Sequence, residues 1–255
     1  MDAKTTKLTK FLPSYVGSKA FWVGKLEQYK DRDFVEFFAG SAVISASLAK
    51  QAVLNDLDPF LHKYFQQYED QPVTDKFTND DYFTKRKQKD WYKWLYYLQR
   101  MSFSGVYRWS KKSGYNVPIK SVYKPGSVNL KDEIERSIKR FKELAPTLHN
   151  LDYSEVPIPE NPPDIAILDP PYQSKQAYSV PPIDYDQYWE FVKRCMDSFR
   201  VIIVFDWDKN IKDHLPGRGF DTRKMRVNGK YKGATEAMCI IDNDNPKPKE
   251  KSDET

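Results

Sequence analysis

Short apolar runs alternate with amphipathic stretches along most of the chain, and this rhythm predicts strands and helices in turn. Apolar runs predict strands at 33–38, 52–56, 165–168, 201–205 and 237–241. Helical spacing and breaker residues predict helices at 42–50, from Pro59 onward, at 129–145 and at 188–199. Strands that alternate with helices indicate a parallel sheet with right-handed crossovers, so the predicted fold class is α/β.

The alternation is interrupted between residues 62 and 128. A charged, aromatic-rich helical stretch is predicted at about 80–100, and the Gly, Ser and Pro content of 103–128 predicts a loop or hairpin. We therefore predict a catalytic domain formed by 11–61 and 129–241, with an inserted, mainly helical module at 62–128. The segment 242–255 is charged and lacks core residues, which predicts a disordered tail.

The interruption also carries the strongest excess of positive charge in the chain. Between Lys85 and Lys124 there are eleven Lys and Arg residues and one acid, Asp90, although the net charge of the whole chain is only +5. Aromatic residues from Trp91 to Tyr123 are interleaved with these cations. Cations beside aromatic faces suit a phosphate backbone and unstacked bases, so nucleic acid is the expected partner. The alternative is a solvated basic surface over an ordinary aromatic core.

Cysteine and histidine are too few and too scattered for a disulfide framework or a zinc site. They are Cys195, Cys239, His62, His149 and His214, and the two cysteines are expected to be buried, reduced thiols. The first ten residues are polar, and no run approaches the ~18 apolar residues that a membrane span needs. We expect a soluble, cytoplasmic monomer without a metal ion.

The sharpest chemical signal is the tetrapeptide Asp169-Pro170-Pro171-Tyr172, which directly follows an apolar strand. The carboxyl end of a parallel strand is where open α/β sheets bind ligands. There, the Asp169 carboxylate and the Pro170 carbonyl can accept the two hydrogens of an exocyclic amino group, which favours the tetrahedral nitrogen needed for attack on a methyl group. Tyr172 can stack on a base flipped out of its duplex. The alternative is a rigid turn that ends a strand.

A second signal is the turn from Glu36 to Ser41, in which small residues separate a strand from a helix. Such a turn lets the backbone approach a nucleotide-like cofactor closely. Sixteen residues after Gly40, Asp56 ends the next strand, where an acid can bind ribose hydroxyls. The alternative role for Asp56 is a helix cap before Pro59.

Taken together, these motifs resemble those of DNA adenine methyltransferases of the Dam type, the alpha-order group of amino-methyltransferases. The resemblance spans about residues 11–241 in the order cofactor motif, insert, catalytic motif. The matching segments are Tyr15–Lys19, Phe38–Ser41, Asn55–Asp58, Phe103–Arg108 with Gly114–Pro118, Leu151–Tyr153, Asp169–Tyr172 and Thr235–Ile240.

The resemblance implies a Rossmann-like, S-adenosylmethionine-dependent methyltransferase that modifies N6 of a flipped adenine at a specific site in double-stranded DNA. The GATC-like target it suggests rests on the hairpin, where Arg108 would pair with a guanine, Pro118 would contact a thymine methyl, and Phe103 and Ser104 would lie near the gap left by the adenine. The implied cofactor-binding residues are Tyr15, Lys19, Phe38, Ala39, Gly40, Ser41, Asp56, Asp152, Tyr153 and Asp169. The implied catalytic residues are Asp169, Pro170, Pro171 and Tyr172. The implied DNA contacts are Phe103, Ser104, Tyr107, Arg108, Lys111, Lys112, Asn116 and Pro118.

Two positions depart from the family pattern. Ala42 stands where a further glycine is usual, and Gly17-Ser18 stands where Gly-Gly is common. Alanine and serine are small, so we expect the cofactor site to be retained. The alternatives to DNA methylation are adenine methylation of RNA, a DNA-binding protein that has lost catalysis, and methylation of protein or small molecules.

Overall fold

The computed structural model describes residues 8–15, 17–120, 126–172, 181–227 and 230–244. The strands are β1 (Asp33–Glu36), β2 (Gln51–Asn55), β3 (Phe77–Thr78), β4 (Trp109–Ser110), β5 (Gly114–Tyr115), β6 (Ser127–Val128), β7 (Thr147–His149), β8 (Ile165–Leu168), β9 (Val201–Trp207), β10 (Phe220–Val227) and β11 (Lys230–Asp242). The α-helices are α1 (Val43–Leu48), α2 (Pro59–Gln66), α3 (Asn79–Lys85), α4 (Leu95–Met101), α5 (Lys131–Leu144), α6 (Tyr185–Ser198) and α7 (Asp208–His214). Short 3₁₀ helices cover Lys19–Phe21, Val23–Tyr29, Tyr68–Asp70, Trp91–Trp94, Phe103–Gly105 and Tyr153–Glu155.

Seven strands form a central sheet in the order β10-β11-β9-β8-β1-β2-β7. The five strands from β9 to β7 pair in parallel, and β11 is antiparallel to both β9 and β10. From β1 the chain moves outward through β2 to β7, and it then returns to β8 on the other side of β1. The predicted α/β, Rossmann-like fold class is therefore confirmed. Strand order reverses between β1 and β8.

The central strands are apolar because both of their faces are covered. Every residue of β8 is buried, as are Val201–Asp206 of β9. Alternate residues face opposite sides, so Ile165 and Ile167 join one core while Ala166 and Leu168 join the other. The α6 helix covers the second side with Tyr188, Phe191 and Val192.

In the segment between α2 and α5, none of the strands in the described residues belongs to the central sheet. They form two small antiparallel pairs, β3 with β6 and β4 with β5. The predicted loop or hairpin at 103–128 contains the β4–β5 hairpin. The helical stretch predicted at about 80–100 contains α3, the 3₁₀ helix Trp91–Trp94 and α4. A Thr78–Asp81 capping box starts α3, which ends at Lys85.

This segment shares a core with one face of the sheet. Tyr68, Tyr82, Trp91 and Tyr97 belong to the same buried cluster as Phe34 of β1. The domain boundaries stay a prediction. Val16 of the amino-terminal motif, residues 121–125 of the insert and the tail from residue 245 lie outside the described residues.

Candidate active site

Five parallel strands end at one edge of the sheet, and most of the predicted catalytic and cofactor residues follow four of them. β1 leads into Phe37–Ser41, β2 into Asp56, β8 into Asp169, and β7 into Asp152 and Tyr153. The fifth strand, β9, ends with Asp206 and Trp207. Strand order reverses between β1 and β8, and open α/β sheets bind ligands in the crevice expected at such a point.

The turn after β1 has little room for larger side chains. Gly40 has a φ of +48°, and a Cβ built on it would lie 3.0 Å from Cε1 of Tyr15. Ala42 also lies in the left-handed region, with a φ of +49°, where a non-glycine residue is strained by about 1–2 kcal/mol. The family departure at Ala42 therefore falls at the kind of position that favours glycine. Ser18 has a φ of −53°, so it has no such need.

Asp56 closes the glycine turn from the neighbouring strand. Its Oδ2 accepts from the backbone N–H of Gly40 at 2.8 Å, and its Oδ1 accepts from the N–H of Asp58 at 2.9 Å. Burial raises the pKa of Asp56 to about 6. The cap of α2 is Asp58, which accepts from the N–H groups of Phe60 and Leu61, so the helix-cap alternative for Asp56 is wrong.

A buried lysine holds the predicted catalytic acid. The ammonium of Lys19, which is 4% exposed, lies 2.8 Å from Oδ1 of Asp169 and 3.2 Å from Oε1 of Glu236, and it donates to the carbonyl of Gly17 at 2.7 Å. Burial alone would lower the pKa of Lys19, but the two carboxylates raise it above its ordinary value. Lys19 thus acts as the shared counter-ion of two acids from distant parts of the chain.

Glu236 is a site residue that the list of sequence candidates omitted. It is 2% exposed, its Oε1 accepts from the hydroxyl of Tyr172 at 3.0 Å, and its Oε2 accepts from the indole N–H of Trp22 at 2.8 Å. The signal was a charged residue directly before the apolar run 237–241. A buried acid needs partners, and Lys19, Tyr172 and Trp22 supply them.

The protonation of Asp169 reflects this surrounding. Its side chain is 21% exposed, and burial raises its pKa to about 6 while Lys19 opposes the rise. Burial also raises the pKa of Glu36 to about 7 and that of Asp206 to about 6. Asp169, Glu36 and Asp206 are therefore concentrated near this edge of the sheet, and few neighbouring groups stabilise their charged forms.

The Asp-Pro-Pro-Tyr loop is fixed by side chains from two other elements. The hydroxyl of Tyr185 donates to the carbonyl of Pro171 at 3.0 Å. Tyr172 is 9% exposed, and its ring lies 4.8 Å from that of Trp207 and 5.1 Å from the Lys19 ammonium. The tyrosine ring therefore forms part of the wall of the crevice.

Aromatic rings line the other side of the glycine turn. The ring centroids of Phe38 and Tyr153 are 5.1 Å apart at an interplanar angle of 35°, and Tyr153 is 6% exposed. The carboxylate of Asp152 accepts from the backbone N–H and the hydroxyl of Ser154, so it caps the short helix there. The side chain of Asp152 thus has a local structural role whatever it binds.

Residues 101–120 form one irregular hairpin, whose two limbs are joined along their length. The backbone N–H of Lys120 donates to Met101, that of Phe103 donates to Pro118, and β4 pairs with β5 near the tip. At its base the hairpin packs on the amino-terminal motif, because a Cβ on Gly105 would lie 3.1 Å from that of Ser14. The 101–120 hairpin is thereby fixed beside the crevice.

Most of the predicted DNA contacts in this hairpin are exposed. They are Phe103, at 55% exposure, together with Ser104, Arg108, Lys111, Lys112 and Pro118. The guanidinium of Arg108 is held by Asn116, whose Oδ1 and backbone carbonyl accept from it at 2.6 and 3.0 Å. Asn116 therefore positions Arg108, a role that the sequence did not indicate.

Tyr107 differs from its neighbours, because it faces inward. Its hydroxyl donates to Oδ1 of Asp58 at 3.0 Å, and its ring lies 5.7 Å from that of Tyr15. Trp109 donates to the same carboxylate at 2.7 Å. The two aromatic residues fasten the hairpin to the loop after β2, so the structure gives no support for Tyr107 as a DNA contact.

The aromatic residues between Lys85 and Lys120 are mostly core residues. Trp91, Tyr96, Tyr97 and Tyr115 are each 2% exposed or less. The prediction that the interleaved aromatic rings stack on bases is wrong for these four, because they pack against one another and against the sheet. The cations remain at the surface, with Lys87 and Lys89 among the exposed residues.

Among the described residues, no group of three or more His, Cys, Asp or Glu side chains is arranged to hold a metal ion. Cys195 and Cys239 are buried and form no disulfide in the described part of the chain. No helix in the described ranges is long and apolar enough to cross a membrane.

Comparison with known proteins gives a family and several structures of low identity. The model of the family described as D12 class N6 adenine-specific DNA methyltransferase matches residues 15–181. Comparison with curated proteins gives no match.

The chain is similar to three solved structures, among others. One is an rRNA methylase of Streptococcus thermophilus, at 10% identity over 86% of this chain and 93% of that chain, with a TM-score of 0.38. Another is the tRNA m1G37 methyltransferase of M. jannaschii, at 13% identity over 89% of this chain and 47% of that chain, with a TM-score of 0.39. The third is a conserved hypothetical protein of Streptococcus pyogenes, at 12% identity over 88% of this chain and 93% of that chain, with a TM-score of 0.37.

Proposed function

The chain belongs to the D12 class N6 adenine-specific DNA methyltransferase family, and from this premise we propose that it methylates N6 of adenine at a specific site in duplex DNA. The observation that carries the proposal is the position of Asp169. It follows β8 at the reversal of strand order, and Lys19 lies 2.8 Å from its carboxylate. An acceptor at this place can hold an amino group of a substrate.

The residues around the glycine turn fit S-adenosylmethionine. Its sulfonium supplies a methyl group that is already activated for transfer, so the protein has to orient the reactants and place charge. Each oxygen of Asp56 accepts one backbone N–H, and a carboxylate oxygen has a second lone pair that can accept from a ribose hydroxyl. Gly40 leaves no room for a Cβ beneath Tyr15, and Phe38 and Tyr153 provide flat apolar surface for the adenine ring.

Asp169 and the first proline carbonyl would hold the two amino hydrogens of the target adenine. The Pro171 carbonyl already accepts from Tyr185, which favours the carbonyl of Pro170 as the second acceptor. Donors and acceptors that are fixed before the reaction stabilise developing charge without reorganisation. Lys19 favours the ionised form of Asp169, and Glu236 holds both Lys19 and the hydroxyl of Tyr172.

The exposed residues of the 101–120 hairpin would read the DNA. Arg108 offers a planar fork that matches the two acceptors on the groove edge of guanine, and Pro118 would lie against a thymine methyl. Phe103 and Ser104 would occupy the space vacated by the flipped adenine, while Lys111 and Lys112 would contact phosphates. A GATC-like palindrome is the proposed target.

The test is methyl transfer to matched DNA and RNA duplexes, followed by sequencing of methylated bases in DNA from cells that express the protein. Asp169→Ala is expected to reduce transfer by about 10²–10³-fold or more, because one charge-stabilising group is lost. Asp213→Ala, an exposed aspartate on α7, is the matched control and should leave the rate unchanged. Methyl groups on RNA and none on DNA, or near-normal turnover by Asp169→Ala, would refute the proposal.

A further inference from the structure

The antiparallel hairpin β10–β11 continues past the edge of the sheet on which the active site lies. β11 pairs with β9 only from Glu236 onward, where Glu236 lies opposite Trp207, the last residue of β9. β10 and β11 nevertheless remain paired as far as Val227 and Lys230. The part of the hairpin before Glu236 therefore projects beyond the carboxyl ends of the parallel strands.

This projecting part is the most basic stretch of the carboxyl-terminal half. Between residues 223 and 232 the sequence contains five cations and no acid, although Lys and Arg exceed Asp and Glu by only five in the whole chain. The cations are Arg223, Lys224, Arg226, Lys230 and Lys232. Positive charge that is concentrated on one projecting element is the electrostatic footprint of a polyanion site.

Lysines also occur on edge strands to prevent pairing with other sheets. That explanation would place cations along the whole of β10, which is the edge strand of the sheet. The first three residues of β10, 220–222, pair with β11 beside β9 and contain no cation. The cations begin where the hairpin leaves the central sheet. They are therefore located on the projecting part of the hairpin and not along the edge strand as a whole.

The root of the hairpin lies directly at the active site. Arg223 is opposite Glu236, whose carboxylate contacts Lys19 and Tyr172. The guanidinium of Arg223 lies 4.5 Å from the ring centroid of Phe21, which is 52% exposed. At about 3.3 Å per residue, the six steps from Glu236 to Lys230 span up to roughly 20 Å, which is enough to pass several phosphates of a duplex held at the crevice.

We propose that the β10–β11 hairpin is a second DNA-binding element, which grips the phosphate backbone beside the target base without reading sequence. This inference rests on the proposed function, because duplex DNA is its ligand. The 101–120 hairpin and the β10–β11 hairpin would then hold the duplex from two places near the crevice, one for sequence and one for charge.

The experiment compares two triple variants of the full chain. Arg226→Gln, Lys230→Gln and Lys232→Gln are combined in one, and Lys139→Gln, Lys142→Gln and Lys193→Gln, from the exposed faces of α5 and α6, are combined in the control. Binding of a target duplex and of a scrambled duplex is measured over a range of salt concentrations. Melting temperature and affinity for S-adenosylmethionine verify that each variant is folded.

The hairpin variant should lose at least tenfold in affinity for both duplexes alike, and the slope of log K against log salt should fall by about 3, since each phosphate contact contributes roughly 0.9. The control should keep the wild-type slope. If the triple variant does not fold, Lys224→Gln alone, at an exposed side chain, should reduce the slope by about 1.

Failure of this inference can be distinguished from failure of the proposed function. A wild-type protein that methylates DNA, together with a hairpin variant that keeps the wild-type salt slope, overturns the hairpin inference alone. A loss of affinity for the target duplex with none for the scrambled duplex also overturns it, because phosphate contacts carry no sequence information. A wild-type protein that methylates RNA and does not bind duplex DNA overturns both.

Discussion

Two cations in this protein are each held by oxygen atoms of other residues, but in opposite surroundings. Lys19 lies at the centre of the active site, is 4% exposed and contacts the carboxylates of Asp169 and Glu236. Arg108 lies at the surface of the 101–120 hairpin and is held by the neutral amide and carbonyl oxygens of Asn116. The charge of Lys19 is neutralised inside the protein, whereas that of Arg108 is oriented and left available to a partner.

The difference follows from the energetics of burial. A charge that is removed from water must be paired with an opposite charge and hydrogen-bonded. A buried ammonium therefore acts on the site through the side chains that it holds in place. A neutral holder at the surface fixes geometry without cancelling charge. Under the proposed function, the candidate active site therefore uses its cation to organise acids, and the hairpin presents its cation to the DNA.

The largest expected effect comes from removing the buried cation. Lys19→Met leaves two buried carboxylates without their counter-ion, so the free energy of unfolding should fall by about 3–5 kcal/mol. Arg108→Met, the same change at an exposed position, should alter it by no more than about 0.5 kcal/mol. Urea unfolding of both variants measures the contrast, and equal effects would mean that burial does not distinguish the two cations.

At the surface, the expected effect is on recognition. Arg108→Ala should cost about 1–3 kcal/mol of binding and relax selectivity at one base pair, while Lys111→Ala should weaken all duplexes by a similar factor. Methylation rates on duplexes that each differ by one base pair provide the measurement. A uniform loss on every duplex for Arg108→Ala would make Arg108 a phosphate contact.

A pH profile separates electrostatic from structural roles in the buried cluster. Burial raises the pKa of Asp169 to about 6, and the negative charge of Glu236 contributes to the rise, so activity should increase as the pH rises through this value. Glu236→Gln removes that charge and lowers the pKa of Asp169. The acid limb of the rate profile should therefore move to lower pH.

Glu36 provides the check on this assignment. Burial raises its pKa to about 7, and the main charges that act on it are those of Asp169 and Lys19. An acid limb that stays in place in Glu236→Gln would therefore assign the limb to Glu36 or another group. A limb that moves to higher pH would contradict the charge arrangement described for Asp169.

The smallest expected effect is at Ala42. Ala42→Gly relieves left-handed strain of about 1–2 kcal/mol, but it loses a buried methyl worth about 0.8 kcal/mol and adds flexibility to the unfolded chain worth about 0.4–1 kcal/mol. The net change in stability should lie within about 0.8 kcal/mol of zero by thermal unfolding. A large loss of stability would show that the Ala42 methyl contributes more packing energy than is assigned to it here.

Much of the sheet and of its catalytic edge could be predicted from the sequence. The strands that precede Phe37 and Asp169 are short and apolar, and their ends meet because the strands are parallel. β7 and β10 were not predicted, since Thr147–His149 is too short for a pattern and Phe220–Val227 alternates with charged residues at the edge of the sheet. α7 was also missed.

The partners that depend on distant pairing were beyond the sequence. Glu236 meets Trp22 across 214 residues of chain, and only the antiparallel position of β11 beside β9 brings them together. The inward direction of Tyr107 was equally hidden, because its acceptor is Asp58 in another loop. Residue types indicated the chemistry, but the topology decided which of them meet.

The shared core described for residues 62–128 bears on how target specificity can change. Tyr82, Trp91 and Tyr97 are packed into the same apolar interior as the sheet, so exchanging the whole segment for that of a relative would leave mismatched surfaces and cavities on both sides. Arg108 and Pro118 lie at the exposed surface, where substitutions cost little stability. New specificities should therefore arise by single substitutions on the hairpin, in evolution and in engineering alike, and not by transplanting the segment as a module.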